Sequence, residues 1–534
     1  MIKSNSRFKL SLTLLLSSFL FSFCIAQKNR VYNLVTDFGA IADNKTDNYN
    51  AFLKAAATLS KAGSGTLIIP RGNYYIAAYK IHGGANKNNI TDIIFKNCNG
   101  LIVEGNNSVL RINGNFSRNR DYKLDGIPYN YAFSNTVCLF KITNCKNVLL
   151  RNFTVYGEAD KMKRQPGVVE GENYGVYIAD DNPGDTSSGI MMQHITAHHF
   201  AADGFLIKSN GKDIVMNKCT SNNNARQGLS IVKGNNIKCL NSTFDSTGFT
   251  GVYSWHAPGA GIDVENEFGP GKLNNVLIQN CSLRGNKGFQ IVTTLPSDTV
   301  VVDSCFISDL TAGYSDGLNG VGIYSYNSSV TNCIIFATIQ IDIADQIYKG
   351  PSIQYFSKNL IYSGYRGIIS ADFSRPAVVT DNIFIMLPKP KLDTYFPYLQ
   401  NGSLRFNRNI VVVHADRIKK EPNQVTALVQ LALEASDDFW LMNGYDIAKD
   451  KRQTNYYYPA LNETKLLRNH FFPPNKKIVD FIFPQKKFLT AAQAETILKA
   501  ELFTAYKQTG FNKKYLLQAN IVKQYTAAIV AGVK

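Results

Sequence analysis

The chain has 534 residues, 45% of them hydrophobic and 18% charged, which is enough apolar material for a sizeable core and excludes an intrinsically disordered protein. Its formal charge of +17 fits either an anionic partner or a lysine-rich, solubilising surface. Nucleic acid is a poor fit, because the chain has no basic run and no zinc-finger spacing.

The first element, over residues 1–26, reads as an export signal. Lys3, Arg7 and Lys9 precede an apolar run from Leu10 to Phe23, and Ala26 supplies the small residue for cleavage before Gln27. Removal leaves a charge of +14. Lipid attachment at Cys24 is disfavoured by the bulk of Phe23. No later stretch is long and apolar enough to span a bilayer. A secreted or periplasmic protein, acting as a monomer, is expected.

The next element is a helix. Thr46 or Asp47 can cap it, Tyr49, Phe52, Ala56 and Leu59 recur at helical spacing, and Gly63 marks its end. Its expected role is to plug one end of the structure that follows and hide the edge of the first strands.

Between about residues 145 and 410 an alternating apolar stretch followed by Asn or Cys recurs, as in "DIVMNKC", "NVLIQNC", "TVVVDSC" and "SSVTNC". Cys219, Cys281, Cys305 and Cys333 close these units, and Thr243 and Asn382 are read as falling at equivalent places. The step is about 24 residues, lengthened where loops are inserted. A parallel series places a glycine before each apolar-x-apolar unit, at Gly175, Gly204, Gly228, Gly261, Gly288 and Gly322. Two strand types with one period and no helices between them predict an all-β fold, a parallel β-helix spanning 27–415. Four cysteines at one rung position are then expected to stack inward as small apolar residues, in place of disulfides or a metal site.

The stretch "VTDFGAIADNKTDNYNAFLKAAATLSKAGSGTLIIPRGNYYI" resembles the N-terminal signature of the pectate-lyase-like superfamily, at Asp37-Phe38-Gly39-Ala40, Asp43, Thr46-Asp47, Ala51-Phe52, Ala56, Gly65, Pro70, Gly72 and Tyr74. It departs from that pattern at Ala42, Asn44 and Asn48. The resemblance covers roughly residues 31 to 415 and implies a right-handed, single-stranded coil. It leaves the activity open, because lyases, hydrolases, epimerases and tailspikes share that fold.

The glycine register selects one rung for chemistry. Outward pairs are expected at Tyr177 and Ala179, Leu206 and Lys208, Ser230 and Val232, Asp263 and Glu265, and Gln290 and Val292. Only the fourth exposes two acids. Arg226 shares the outward parity, Asp203 sits at a corner, and Lys233 and Lys287 are nearby bases. The 33-residue step from Gly228 to Gly261 carries an insertion with Tyr253, Trp255 and His256, which suits a groove wall on which sugars stack. Asp263, Glu265, Lys208, Arg226 and Asp203 are the catalytic candidates. Tyr253, Trp255, His256, Lys233, Tyr177, Gln290 and Lys287 are candidates for binding substrate.

Carboxyls two apart on a strand lie about 6.6 Å apart at the backbone. In a hydrolase one would protonate the leaving oxygen while the other activates water or attacks the sugar. In a lyase both would hold Ca²⁺ against a uronate while an unprotonated Lys or Arg takes the proton. "AADGFLIKS" and "RQGLSIVKG" resemble degenerate polygalacturonase segments, but Gln227 stands where that family has histidine, and its pair of aspartates is missing. The acid-x-acid strand with basic neighbours is similar in type to calcium-dependent β-helix lyases. β-Elimination of an acidic polysaccharide is therefore the leading expectation, ahead of a hydrolase or epimerase using Asp263 and Glu265, and of a non-catalytic glycan-binding coil.

His194, His198 and His199 look like a metal set by composition, yet alternation sends His198 and His199 to opposite faces. The tail over 416–534 abandons the repeat from about Pro422 and has helical composition. Thr490 and Gln493 there form a capping box, and the segment is expected to cover the coil.

Overall fold

The computed structural model describes residues 30–76, 93–112, 116–118, 123–124, 127–128, 132–160, 171–248, 258–308, 320–343, 352–363, 368–373, 377–386, 398–399, 404–407, 409–413, 434–436, 439–442 and 470–472. The export signal, and the capping box at Thr490 and Gln493, lie outside the described residues.

The expected helix is present as α1, Tyr49–Ala62. Asp47 accepts a hydrogen bond from the Tyr49 N–H at 3.0 Å, but it stands one residue before the N-cap, so neither Thr46 nor Asp47 takes the capping position expected. Asn48 stands at the N-cap position itself but turns its side chain to Ile41 and Thr46. Gly63 ends the helix in the left-handed region at φ 72° and donates to the Leu59 carbonyl. Phe52, Ala56 and Leu59 enter the main core.

That core is the inside of a coil. Nearly every long strand pairs in parallel with the strand one turn before and one turn after it. Five strands frame the site: β1 Gly171–Ala179, β2 Asp203–Asn217, β3 Gln227–Leu240, β4 Ile262–Val264 and β5 Ile291–Thr293. Their inward positions stack in register: Val176 on Phe205, Phe205 on Leu229, Leu229 on Ile262 and Ile262 on Ile291. The fold is thus the parallel β-helix that the repeats predict.

The Asn-or-Cys signature has a physical cause at one corner. The residue before each corner position turns the chain with a positive φ, as at Lys218, Asn241, Asn280, Ser304, Asn332, Lys358 and Asp381. Asparagine tolerates that conformation better than most side chains. The next side chain points inward and accepts the backbone N–H of the preceding rung. Ser242 accepts from Cys219, Cys333 from Cys305, Asn359 from Cys333, Asn382 from Asn359 and Asn409 from Asn382. Cys219, Cys281, Cys305 and Cys333 are buried free thiols, as expected. Ser242 holds the position expected for Thr243, which instead pairs with Thr220 one residue further on.

Two other expectations shift. The glycine column slips after Gly261: its neighbour in the next rung is Gln290, not Gly288, and Gly322 lies in the column of Asp263 and Val292. The repeat also continues past residue 422. Glu434–Ser436 and Phe439–Met442 pair in parallel with Leu404–Asn407 and Ile410–Val413, and His470–Phe472 adds a further strand. The tail lacks the glycine and cysteine punctuation while keeping strand pairing, so composition alone disguised it.

Candidate active site

The outer column that carries Asp263 runs Tyr177, Leu206, Ser230, Asp263, Val292, one residue per rung. Alternation with Ile262 and Val264, both in the core, turns Asp263 outward as expected. Its exposure is the correction: Asp263 is 1% exposed, not open to solvent, while Glu265 is half-buried and Glu267 exposed. Outward direction at a strand position does not guarantee water, because neighbouring side chains pack over the coil.

Gln227 Nε2 donates a short hydrogen bond to Asp263 Oδ2. Among the described residues, Asp263 Oδ1 and Gln227 Oε1 are buried acceptors without a hydrogen-bond donor. Burial first, then the charges of Glu265, Asp203 and Glu267, push the Asp263 carboxyl well above its ordinary range, and the Arg226 guanidinium opposes this only in part. Protein packed around part of the Glu267 carboxyl, on a residue otherwise exposed, and then the Glu265 carboxylate likewise raise it. The arrangement favours the neutral form of one acid beside carboxyls nearer water.

Arg226 and Asp203, two of the catalytic candidates, engage each other. Arg226 Nε donates to Asp203 Oδ1 at 2.8 Å and Nη2 to Oδ2 at 2.5 Å, and Asp203 is fully buried. Such a fork fixes both groups, so Arg226 is a charge fixed near Asp263 and does not serve as a proton acceptor.

Lys208 makes an ion pair with Asp181 at 3.3 Å, and Lys141 pairs with the same carboxyl at 3.0 Å. Against the cost of its partial burial, these two lysines hold the Asp181 carboxyl below its ordinary value. A bulge between Ile207 and Lys208 brings Lys233, rather than Val232, opposite Lys208. Val232 joins Tyr177, Tyr174 and Leu206 in a small apolar cluster outside the main core, which leaves Tyr177 only 9% exposed.

Gln290 is fully buried and hydrogen-bonded to Asn286, because the slipped register places it in the tight glycine column. Lys287 sits at a turn where its backbone N–H meets the Thr247 carbonyl. Tyr253, Trp255 and His256 lie outside the described residues.

Ca²⁺ requires six to eight oxygen ligands. Among the described residues no group of three or more His, Cys, Asp or Glu side chains is set to hold a metal, and Asp263 Oδ2 already faces an amide donor. A Ca²⁺ ion at Asp263 and Glu265 would need its further oxygens from backbone carbonyls, water or the substrate. His198 and His199 meet at 2.8 Å between their Nδ1 atoms instead of pointing apart, because His199 turns with φ 58° and breaks the alternation.

Two features escaped the sequence. Asp180, 3% exposed, accepts hydrogen bonds from the Asn144, Ser187 and Asn210 N–H groups and from the Ser187 and Ser209 hydroxyls, tying several rungs together. Phe268 is 39% exposed, with the Lys233 and Lys208 ammonium groups 4.8 and 5.4 Å from its ring centre.

No family model matches the chain. Among curated proteins it is similar to an iota-carrageenase of Alteromonas macleodii, 28% identical over 137 residues, which are 24% of this chain and 27% of that protein. The match thus spans about a quarter of the curated relative's length. Among solved structures, a mannuronan C-5 epimerase A-module of Azotobacter vinelandii aligns with a TM-score of 0.42 and 11% identity over 72% of this chain and 94% of that one. An endo-xylogalacturonan hydrolase of Aspergillus tubingensis aligns at 0.33 and 13% over 76% and 98%. A pectate lyase aligns at 0.37 and 10% over 66% and 73%.

Proposed function

We propose that the chain is an exported polysaccharide-cleaving enzyme that hydrolyses glycosidic bonds of an anionic glycan, with Asp263 as the acid and Glu265 as the base. One observation carries this reading: a buried carboxyl with a raised pKa and an unmatched oxygen stands two residues from a carboxyl closer to water. Gln227 occupies Oδ2, so the proton of neutral Asp263 belongs on Oδ1, aimed at the glycosidic oxygen it would protonate. Glu265 then takes a proton from the attacking water or attacks the sugar itself. An unmatched buried acceptor such as Gln227 Oε1 is uncommon in folded proteins, and a sugar hydroxyl would supply its donor. Because Asp263 is closed to water, the glycan must displace side chains over it as it binds.

A second reading, β-elimination, draws on Lys233. Partial burial first, then the neighbouring Lys272 and Lys208, hold its ammonium below the ordinary lysine value, which favours the unprotonated form a base needs. Hydrolysis is preferred because Arg226, one of the bases a lyase could use, is locked to Asp203. The export reading rests on the N-terminal sequence, and among the described residues no helix is long and apolar enough to cross a membrane.

The test is to incubate purified protein with alginate, polygalacturonate and iota-carrageenan, with and without EDTA. New reducing ends without ultraviolet absorbance support hydrolysis, and absorbance from an unsaturated uronate supports elimination. Saturable binding without cleavage supports a glycan-binding coil. Turnover that survives alanine at both Asp263 and Glu265 would remove the site from consideration.

A further inference from the structure

We infer that Phe268, Lys208 and Lys233 form a subsite that stacks one sugar ring and accepts the anionic substituent of that sugar or the next, beside the carboxyl cluster. This rests on the hydrolase reading for its location only. Large apolar side chains left in water on a coil of this kind are few: among the described residues only Val31, Ile41, Ile94, Phe268 and Tyr355 are exposed large hydrophobics, and Phe268 alone is known to contact two cations. Its loop is held in place, since Asn266, itself 5% exposed, accepts from the Phe268 N–H at 3.0 Å and donates to the carbonyls of Gly269 and Pro296.

Two ammonium groups lie against the ring. Lys208 and Lys233 are register partners on adjacent rungs, and Lys272 stands near enough to Lys233 for their charges to interact. The opposing carboxylates are Asp181, shared between Lys141 and Lys208, Asp180, whose charge acts on Lys233, and Glu267, next to Phe268 in sequence. Like charges held together at a surface cost free energy, and a bound anion relieves that cost. Lysine ammonium groups act as point charges with rotatable donors, which suits a sulfate or carboxylate arriving from a flexible sugar. The aromatic face supplies the sugar-stacking surface between them. Glu267, next to Phe268 in sequence, lies near enough to Lys208 and Arg226 for their charges to interact, so the subsite lies beside the carboxyl cluster. Lys208 is thereby assigned to charge recognition and not to proton abstraction.

The test is calorimetric binding of the full chain to length-matched iota-carrageenan and polygalacturonate oligosaccharides, and to their desulfated or carboxyl-reduced forms. Wild type should bind at least one anionic series, more weakly as salt rises, and lose that binding when the anionic groups are removed. The two series separate sulfate from carboxylate as the substituent. Lys208→Gln with Lys233→Gln should weaken binding roughly ten- to a hundred-fold, the range for losing charge-assisted hydrogen bonds. Phe268→Ala should weaken it with little change in salt dependence, while Phe268→Trp should preserve it. Unchanged binding in these folded variants, equal binding of the neutralised oligosaccharides, or no saturable wild-type binding to either anionic series would overturn the subsite. Loss of binding in the lysine variant without turnover by wild type would sink the hydrolase reading and leave the subsite standing. Turnover abolished by Asp263→Asn but unaffected in the lysine variant would do the reverse.

Discussion

Replacing Asp263 by Asn should separate catalysis from stability. The side chain is 1% exposed, and burial with neighbouring negative charge favours its neutral form. The folded-state value lies above the ordinary 3.8, so the folded chain keeps a proton that the unfolded chain releases. The associated stability is fully present below that ordinary value and is lost as pH rises through the folded-state value. Each pKa unit of elevation corresponds to about 1.4 kcal/mol of that loss. Asn is neutral at every pH, keeps an acceptor for Gln227 and places an amide where the proton stood. At neutral pH Asp263→Asn should therefore be as stable as wild type or more stable by about 1 kcal/mol or more. Its turnover should fall by about a hundred- to ten-thousand-fold, as for loss of a general acid. Denaturant titrations from acidic to neutral pH measure the first effect and reducing-end assays the second. Parallel stability profiles for the two proteins, or near-wild turnover in the variant, would refute the reasoning.

Three further outcomes follow from the same contacts. Arg226→Gln leaves the fully buried Asp203 without its fork and should cost about 3 kcal/mol in denaturant unfolding, with Arg226→Lys recovering only part of it. Asp180→Ala strands donors from several rungs and should destabilise by at least about 3 kcal/mol, seen as a lower melting midpoint and faster hydrogen exchange in β1 and β2. His198, lowered to about 4 by burial and then by His199, should titrate there by NMR; its stability contribution is present above 6.5 and lost as pH falls towards 4, and His198→Gln should flatten that limb.

The coil was legible because its causes are local. A corner needs a residue that tolerates positive φ and then a small side chain able to meet the preceding rung, and the Asn and Cys pattern records both. The acidic rung was legible for a similar reason, since Ile262 and Val264 fix the side on which Asp263 emerges. Its burial was not, because what packs over an outer face comes from segments far away in sequence. Register failed at two places for one reason. A bulge at Lys208 and a longer turn before Gln290 each shift a column without altering the local alternation. Those shifts exchanged Val232 for Lys233 and buried Gln290. Phe268 left one trace, its place in "EFGPGK" directly after the acids, where an aromatic in a glycine- and proline-rich loop has little core to join. Arg226 and Asp203 were named separately, and nothing in their spacing announced that they would bind each other.

The measurement that bears most directly on the central claim is cleavage in heavy-oxygen water followed by mass spectrometry of the oligosaccharide products. A neutral Asp263 working with Glu265 predicts one heavy oxygen at each newly formed reducing end, with no unsaturated sugar. Unlabelled products ending in a double bond, or intact polymer from every anionic glycan supplied, would contradict it.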